Sequence, residues 1–354
     1  MNGQLQDGVV EVGGNARQQF HDARGYGRPI GGNAIAVSRV EAAHLLLRGD
    51  LDRIVDRDGT DLDFEGFFVA SASAVDRFAL RFLVYADLRD RGFYLSPARE
   101  GWPGEDPLCD LTVYPRGTKP GDGEPAHRVI VRGEREAIPA TDLRGVTLAV
   151  VDEESEISYF ETDAPEFDGG TDYRPPASLT GSLIDDRVVV WDAPDGFFDH
   201  GFYGQPLTAR EAVVDSAVQL SLVEAAGLAA ADRLELAGVD GPAIEAIRER
   251  GRAVEGERFD RRLAVYRTLR ERQVVPKTGY KFGADFRTYD TVESVDELPH
   301  SECLVRVLEA DHAFDPRELS LDVRLAGGVR KRMVFALTTA NGEVEWLAVS
   351  RLTP

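Results

Sequence analysis

The chain has 354 residues, 43% of them apolar, enough for two or more domains with sizeable cores. No run of about 18 apolar residues occurs, which excludes a membrane-spanning helix, and the only cysteines, Cys109 and Cys303, exclude a disulfide framework or a cysteine-ligated zinc site. The formal charge is -21, from 62 acidic against 41 basic residues, of which only Lys119, Lys277, Lys281 and Lys331 are lysine.

An acidic, lysine-poor surface is the composition of proteins from salt-loving archaea, where a Debye length of about 3 Å at about 1 M salt screens self-repulsion. The charge is uneven: residues 277–354 hold ten basic and thirteen acidic side chains, a net of -3. The opening MNGQLQDGVVEVGG lacks the basic and apolar regions of a signal peptide, so a cytoplasmic protein is expected.

In chain order, GVVEVG (8–13) reads as a strand, and VEAAHLLLRGDL and VDRFALRFLVYADLRDRG carry apolar residues at helical spacing. EGWPGEDP and TKPGDGEP mark loops around the strand CDLTVY, and HRVIVRG, GVTLAVVDEE and SEISYFET follow as further strands. PEFDGGTDYRPPAS (165–178) is polar, Pro/Gly-rich and aperiodic, a linker. Then RVVVWD reads as a strand, and FDRRLAVYRTLRERQV as a helix with Leu263, Tyr266, Leu269 and Arg270 on one face. The chain ends in the strands GADFRTY, SECLVRVLE, KRMVFALTT and VEWLAVSRL, with a helix at PRELSLDVRLAGGVRK.

The chain repeats itself. SRVEAAHLL (38–46) recurs as SLVEAAGLA (221–229), VYADLRDRGF (84–93) as VYRTLRERQV (265–274), and DLTVY (110–114) as DFRTY (285–289), at offsets of 183, 181 and 175 residues. Three blocks in one order at nearly one offset indicate tandem duplication. The expected fold is mixed α+β, a tandem duplication in which each repeat is an α+β N-terminal module followed by a mostly β C-terminal module. The expected boundaries are 1–80 and 81–164 for the first repeat, 165–180 for the linker, and 181–258 and 259–354 for the second.

Three ionisable side chains of the second repeat stand out: Tyr289, His300 and Lys331. Taken singly, each has a bland reading. A tyrosine at a strand end is a packing residue, a histidine after Leu298-Pro299 sits in a turn, and a lysine between Arg330 and Arg332 belongs to a solvated face. Their surroundings add more. KTGYKFGADFRTYD (277–290), PHSECLVRVL (299–308) and VRLAGGVRKRMVFAL (323–337) resemble, in order, the three signature segments of the archaeal tRNA-splicing endonucleases, specifically the homodimeric type with two tandem repeats per chain. The family often has Tyr where Cys303 stands and His-Ser where Gly327-Gly328 stands; neither departure touches the three residues.

The resemblance implies an endoribonuclease that excises introns from precursor tRNA. It cuts both splice sites in a bulge-helix-bulge without a metal or other cofactor, leaving 2′,3′-cyclic phosphate and 5′-hydroxyl ends. Tyr289 is implied as general base, His300 as general acid and Lys331 as the cation stabilising the phosphorane. These residue types suit the chemistry. RNA brings its own nucleophile, and an ammonium near a phenol favours the phenolate, which makes tyrosine a better base. The resemblance also implies that Arg324 and Arg351 sandwich a bulge base, which suits an enzyme in brine because stacking tolerates salt better than phosphate contacts do. It implies a homodimer in which an acidic loop, Asp152, Glu153 and Glu154, enters a basic groove of the other subunit. The KTGYKFGADFRTYD stretch is expected to face RNA. The first repeat keeps Tyr114 and a nearby His127 but no lysine in LRGVTLAVV, where Arg144 is the nearest cation, and is expected to be structural. A non-catalytic RNA-binding or assembly subunit is the alternative, and the intact set in the second repeat speaks against it.

Overall fold

The computed structural model describes residues 1–208 and 216–354. By internal contacts the chain forms two units. The first comprises Met1–Thr162 with Ala313–Leu319 and Arg351–Pro354, and the second Asp163–His312 with Ser320–Ser350. The segment 164–178 has no helix or strand, but it is not loose coil. The Gly169 and Thr171 N–H groups donate to the Arg272 and Gln273 carbonyls, Gly170 N–H donates to Asp290 O, and Phe167 is buried against Trp346.

Each unit opens with an antiparallel-dominated sheet. In the first unit the strands lie in the order Arg28–Gly31, Ala34–Ser38, Val9–Val12, Asn2–Gln6, Arg53–Val55, Asp61–Leu62. In the second the order is Gln205–Pro206, Val218–Ser221, Arg187–Val190, Leu179–Ile184, Leu234–Leu236. A helix leaves each sheet at the same place, Arg39–Leu47 and Leu222–Ala230, and each begins with a full capping box, Ser38 with Glu41 and Ser221 with Glu224. This is the physical content of the recurring S-x-V-E-A-A block. The serine takes the N–H of the third helical residue, and the glutamate reaches back to the serine N–H.

The second half of each unit is a sheet with one shared topology. The first unit orders its strands Tyr94–Pro97, Leu111–Tyr114, His127–Gly133, Thr147–Val151, Ile157–Asp163. The second orders them Val275–Thr278, Phe286–Tyr289, Cys303–Glu309, Arg332–Thr338, Val344–Leu352. In both, the third and fourth strands are parallel and the other neighbours antiparallel. A parallel step needs a crossover. The second repeat makes it with the helix Pro316–Gly328, the first with a single 3-10 turn, Ala140–Leu143.

The helices Phe78–Asp90 and Arg258–Glu271 carry equivalent anchors. Arg77 and Arg81 converge on Asp110, as Arg258 and Arg262 do on Asp285. Asp110 also accepts the Val131 N–H at 2.7 Å, and Asp285 accepts the Val307 N–H at 2.9 Å. The aspartate of the D-x-x-x-Y block is thus a structural bolt between helix and sheet, buried with its charge met on every side. Arg270, read from the sequence as part of an apolar face, is half-buried there with its guanidinium carbon 4.0 Å from the Tyr203 ring centroid and donates to Gly201 O. Arg89 repeats this over Tyr26, also at 4.0 Å.

Candidate active site

Two backbone hydrogen bonds join three strand ends. Glu302 N–H donates to Thr288 O at 3.1 Å, and Arg332 N–H donates to Glu302 O at 3.0 Å. Tyr289, His300 and Lys331 each lie within two residues of this junction, although 42 positions separate the first from the last. The Lys331 ammonium donates to Ser301 O at 2.5 Å, one residue from His300, and lies 5.8 Å from the Phe282 ring centroid. Tyr289 is 6% exposed, packed with Phe202, Val275 and Val292, and the Arg287 guanidinium carbon sits 5.7 Å from its ring centroid. His300 is exposed. Burial, and then the Arg287 charge, hold the Lys331 ammonium below the ordinary lysine value.

Lys331 is aimed by a helix terminus. Lys331 N–H donates to Ala326 O and Arg330 N–H to Gly327 O, the two bonds of a Schellman motif, with Arg330 at φ 56 in the left-handed position. The glycines at 327 and 328 therefore lie within the helix, and the residue that needs glycine's freedom is an arginine. Arg330→Gly is expected to raise stability by about 0.5–1 kcal/mol by removing this strain. Thermal unfolding checks it, and a lower melting point would mean the arginine side chain contributes more than the strain removes.

His300 lines a cleft of about 530 Å³ with Cys303, Arg330, Arg332, Asp290 and Glu302. Arg332 is ion-paired with Asp163. The neighbouring Asp290 carboxylate, then burial, raise the Glu302 carboxyl. Burial and the Asp290 charge push the Cys303 thiol up to about 11, which keeps it protonated near neutrality and unsuited to be a nucleophile. Among the described residues, no group of three or more His, Cys, Asp or Glu is placed to hold a metal ion.

The KTGYKFGADFRTYD stretch divides by face. Lys277, expected toward RNA, points inward: its ammonium donates to Glu224 at 2.7 Å and to the Phe202 and Gly204 carbonyls. Burial, which exceeds the pull of Glu224, lowers it. Tyr280 and Lys281 are exposed, Tyr280 at 87%. Gly279 allows the tight loop between them and the strand, since a Cβ there would lie 2.8 Å from Ala284 O. Arg324 is exposed on the Pro316–Gly328 helix, with Val323 and Ala326 buried behind it, and Arg351 is exposed on the last strand. Neither has a carboxylate partner among the described residues. In the hairpin between Thr147–Val151 and Ile157–Asp163, Asp152 is committed to its own turn. Its Oδ1 accepts the Glu154 and Glu156 N–H groups, both at 2.9 Å. Glu153 pairs with Arg135 at 2.5 Å, and Glu154 is exposed.

Strand register corrects one detail of the first repeat. Leu111 pairs with Val129 as Phe286 pairs with Val305, and Thr147 with Val129 as Val334 with Val305. Tyr114 therefore matches Tyr289 and Arg144 matches Lys331. His127 matches Cys303, so it stands three residues from the place of His300, near it but not at it. Its Nδ1 lies 3.3 Å from Thr147 Oγ1.

A model of the tRNA intron endonuclease catalytic C-terminal domain matches residues 259–346, and one of the N-terminal domain matches residues 1–68 and 179–246. The chain is 55% identical to a tRNA-splicing endonuclease of Haloferax volcanii and 54% identical to that of Natronomonas pharaonis, covering 100% of both chains in each case. It is 55% identical to that of Haloarcula marismortui over 99% of each chain. The chain belongs to the tRNA-splicing endonuclease family. The strand junction holding Tyr289, His300 and Lys331 lies in the segment matched by the family's catalytic domain, and both capping-box helices lie in segments matched by its N-terminal domain.

Proposed function

We propose that the chain excises introns from precursor tRNA by cutting both edges of a bulge-helix-bulge, and that residues 259–354 form the catalytic module. The observation that supports this reading is that the segments carrying Tyr289, His300 and Lys331 adjoin at three strand ends, with the Lys331 ammonium on the carbonyl next to His300. Tyr289 takes the proton of the 2′-hydroxyl, and the 2′-oxygen attacks the adjacent phosphorus. His300 protonates the departing 5′-oxygen, and Lys331 offsets the charge of the phosphorane. The bond broken is P–O5′ and the bond formed is P–O2′, which leaves a 2′,3′-cyclic phosphate and a 5′-hydroxyl. Water is not a reactant, so neither a metal hydroxide nor an enzyme nucleophile is required.

Arg324 and Arg351, exposed and without carboxylate partners among the described residues, are free to stack on a splayed base. The working form is a homodimer, with Glu154 of the acidic hairpin as the side chain most available to the other subunit. Incubating the purified protein with a two-bulge RNA in concentrated salt and EDTA tests the reading. Paired cuts with cyclic-phosphate ends are expected. Binding without cleavage would make the chain a non-catalytic subunit, and cleavage that stops on chelation would overturn the metal-independent scheme.

A further inference from the structure

Arg287 is a half-buried cation with no assigned task. It lies on the Phe286–Tyr289 strand two residues before Tyr289, so strand alternation turns both side chains to one face. Across the sheet it pairs with Lys277, whose charge is consumed by Glu224. The other arginines near it are all engaged: Arg258 and Arg262 on Asp285, Arg270 on Gly201 O. Among the described residues no carboxylate pairs with Arg287, and its Nε is buried without a hydrogen-bond partner. In a chain with 62 acidic residues, this is not for want of carboxylates. The side chain also lines a cleft of about 410 Å³ whose carboxylates, Asp186, Glu224 and Glu255, are paired with Arg187, Lys277 and Arg262, so an anion can reach it from solvent.

We infer that Arg287 binds a phosphodiester of the RNA strand beside Tyr289. The inference rests on the reading of the chain as an RNA-cleaving enzyme. A guanidinium presents a planar fork that matches two phosphate oxygens, and a buried, unmet N–H is a donor kept in place for such an acceptor. The Arg287 guanidinium carbon lies 5.7 Å from the Tyr289 ring centroid, which sets this contact beside the proposed base.

The test compares wild type, Arg287→Gln and Arg287→Lys in single-turnover cleavage of a two-bulge RNA across a salt series, with thermal unfolding alongside. The glutamine variant is expected to stay folded, to lose about 10- to 100-fold in kcat/KM, and to show a log–log salt slope shallower by about 0.7–0.9, the share of one phosphate contact. The lysine variant keeps the charge and is expected to retain the wild-type slope with a weakened KM. A folded glutamine variant with wild-type rate and slope overturns the inference. If glutamine prevents folding, the lysine variant decides, and a slope that falls in it overturns the inference too. Failure of the wild type to cut RNA would instead sink the underlying reading, so the two failures are distinguishable.

Discussion

Replacing His300 by alanine is expected to slow single-turnover cleavage of a two-bulge RNA by about 10²- to 10⁴-fold, the usual contribution of a positioned acid or base. Folding should be untouched. The side chain is exposed, and surface changes of this kind stay within about 0.5 kcal/mol. The variant therefore separates chemistry from stability more cleanly than a change at Tyr289, whose ring is 6% exposed within an apolar cluster and whose loss also opens a cavity. Because His300 faces a cleft that also holds Asp290, Glu302, Arg330 and Arg332, RNA binding should persist in the variant. Full retained cleavage would remove His300 from the mechanism.

Lys277→Met is expected to destabilise the protein by about 3–5 kcal/mol at neutral pH, since it strands a buried carboxylate. Burial alone would raise the Glu224 carboxyl, but the Lys277 charge and the hydrogen bonds from Lys277 and Ser221 outweigh it and hold the group at about 2. The folded value lies below the unfolded value of about 4.3, so the contribution is fully present above that pH. It is lost as pH falls toward about 2. The stability gap between wild type and Lys277→Met should accordingly narrow as acid is added. Denaturant unfolding at fixed high salt and several pH values measures it. A gap under about 1 kcal/mol at pH 7 would show that the pair is not what holds this module together.

The first repeat contains the same experiment done naturally. Ser96 matches Lys277 by strand register, and Glu41, which matches Glu224, is buried without a lysine. Its carboxyl accepts from Gly27 and Ser38, and burial raises it.

Much of the architecture was legible because it is written in local patterns. Three recurring blocks disclosed the duplication, and period-2 and helical spacing located all but the first strand of each nuclease-like module and the helices Phe78–Asp90, Arg258–Glu271 and Pro316–Gly328. The short helices Phe64–Ala74 and Ala243–Glu255 were not read out, and neither was the strand Val275–Thr278, where a proline and two polar residues hide the alternation. The site was legible as three side chains in three motif segments, and those segments do meet at one strand junction.

What the sequence alone determined is the order of elements, the duplication and the three motif segments that carry Tyr289, His300 and Lys331, since each depends on neighbours a few residues away. What only the tertiary structure decided is where charges point and whom they meet. Lys277 turns inward to Glu224, Asp110 and Asp285 bolt helices to sheets, His127 aligns with Cys303, and Arg287 is left without a carboxylate. Partners 21 to 53 positions apart in the chain set these outcomes. Burial and register govern which of many carboxylates a cation finds, and composition carries no record of either.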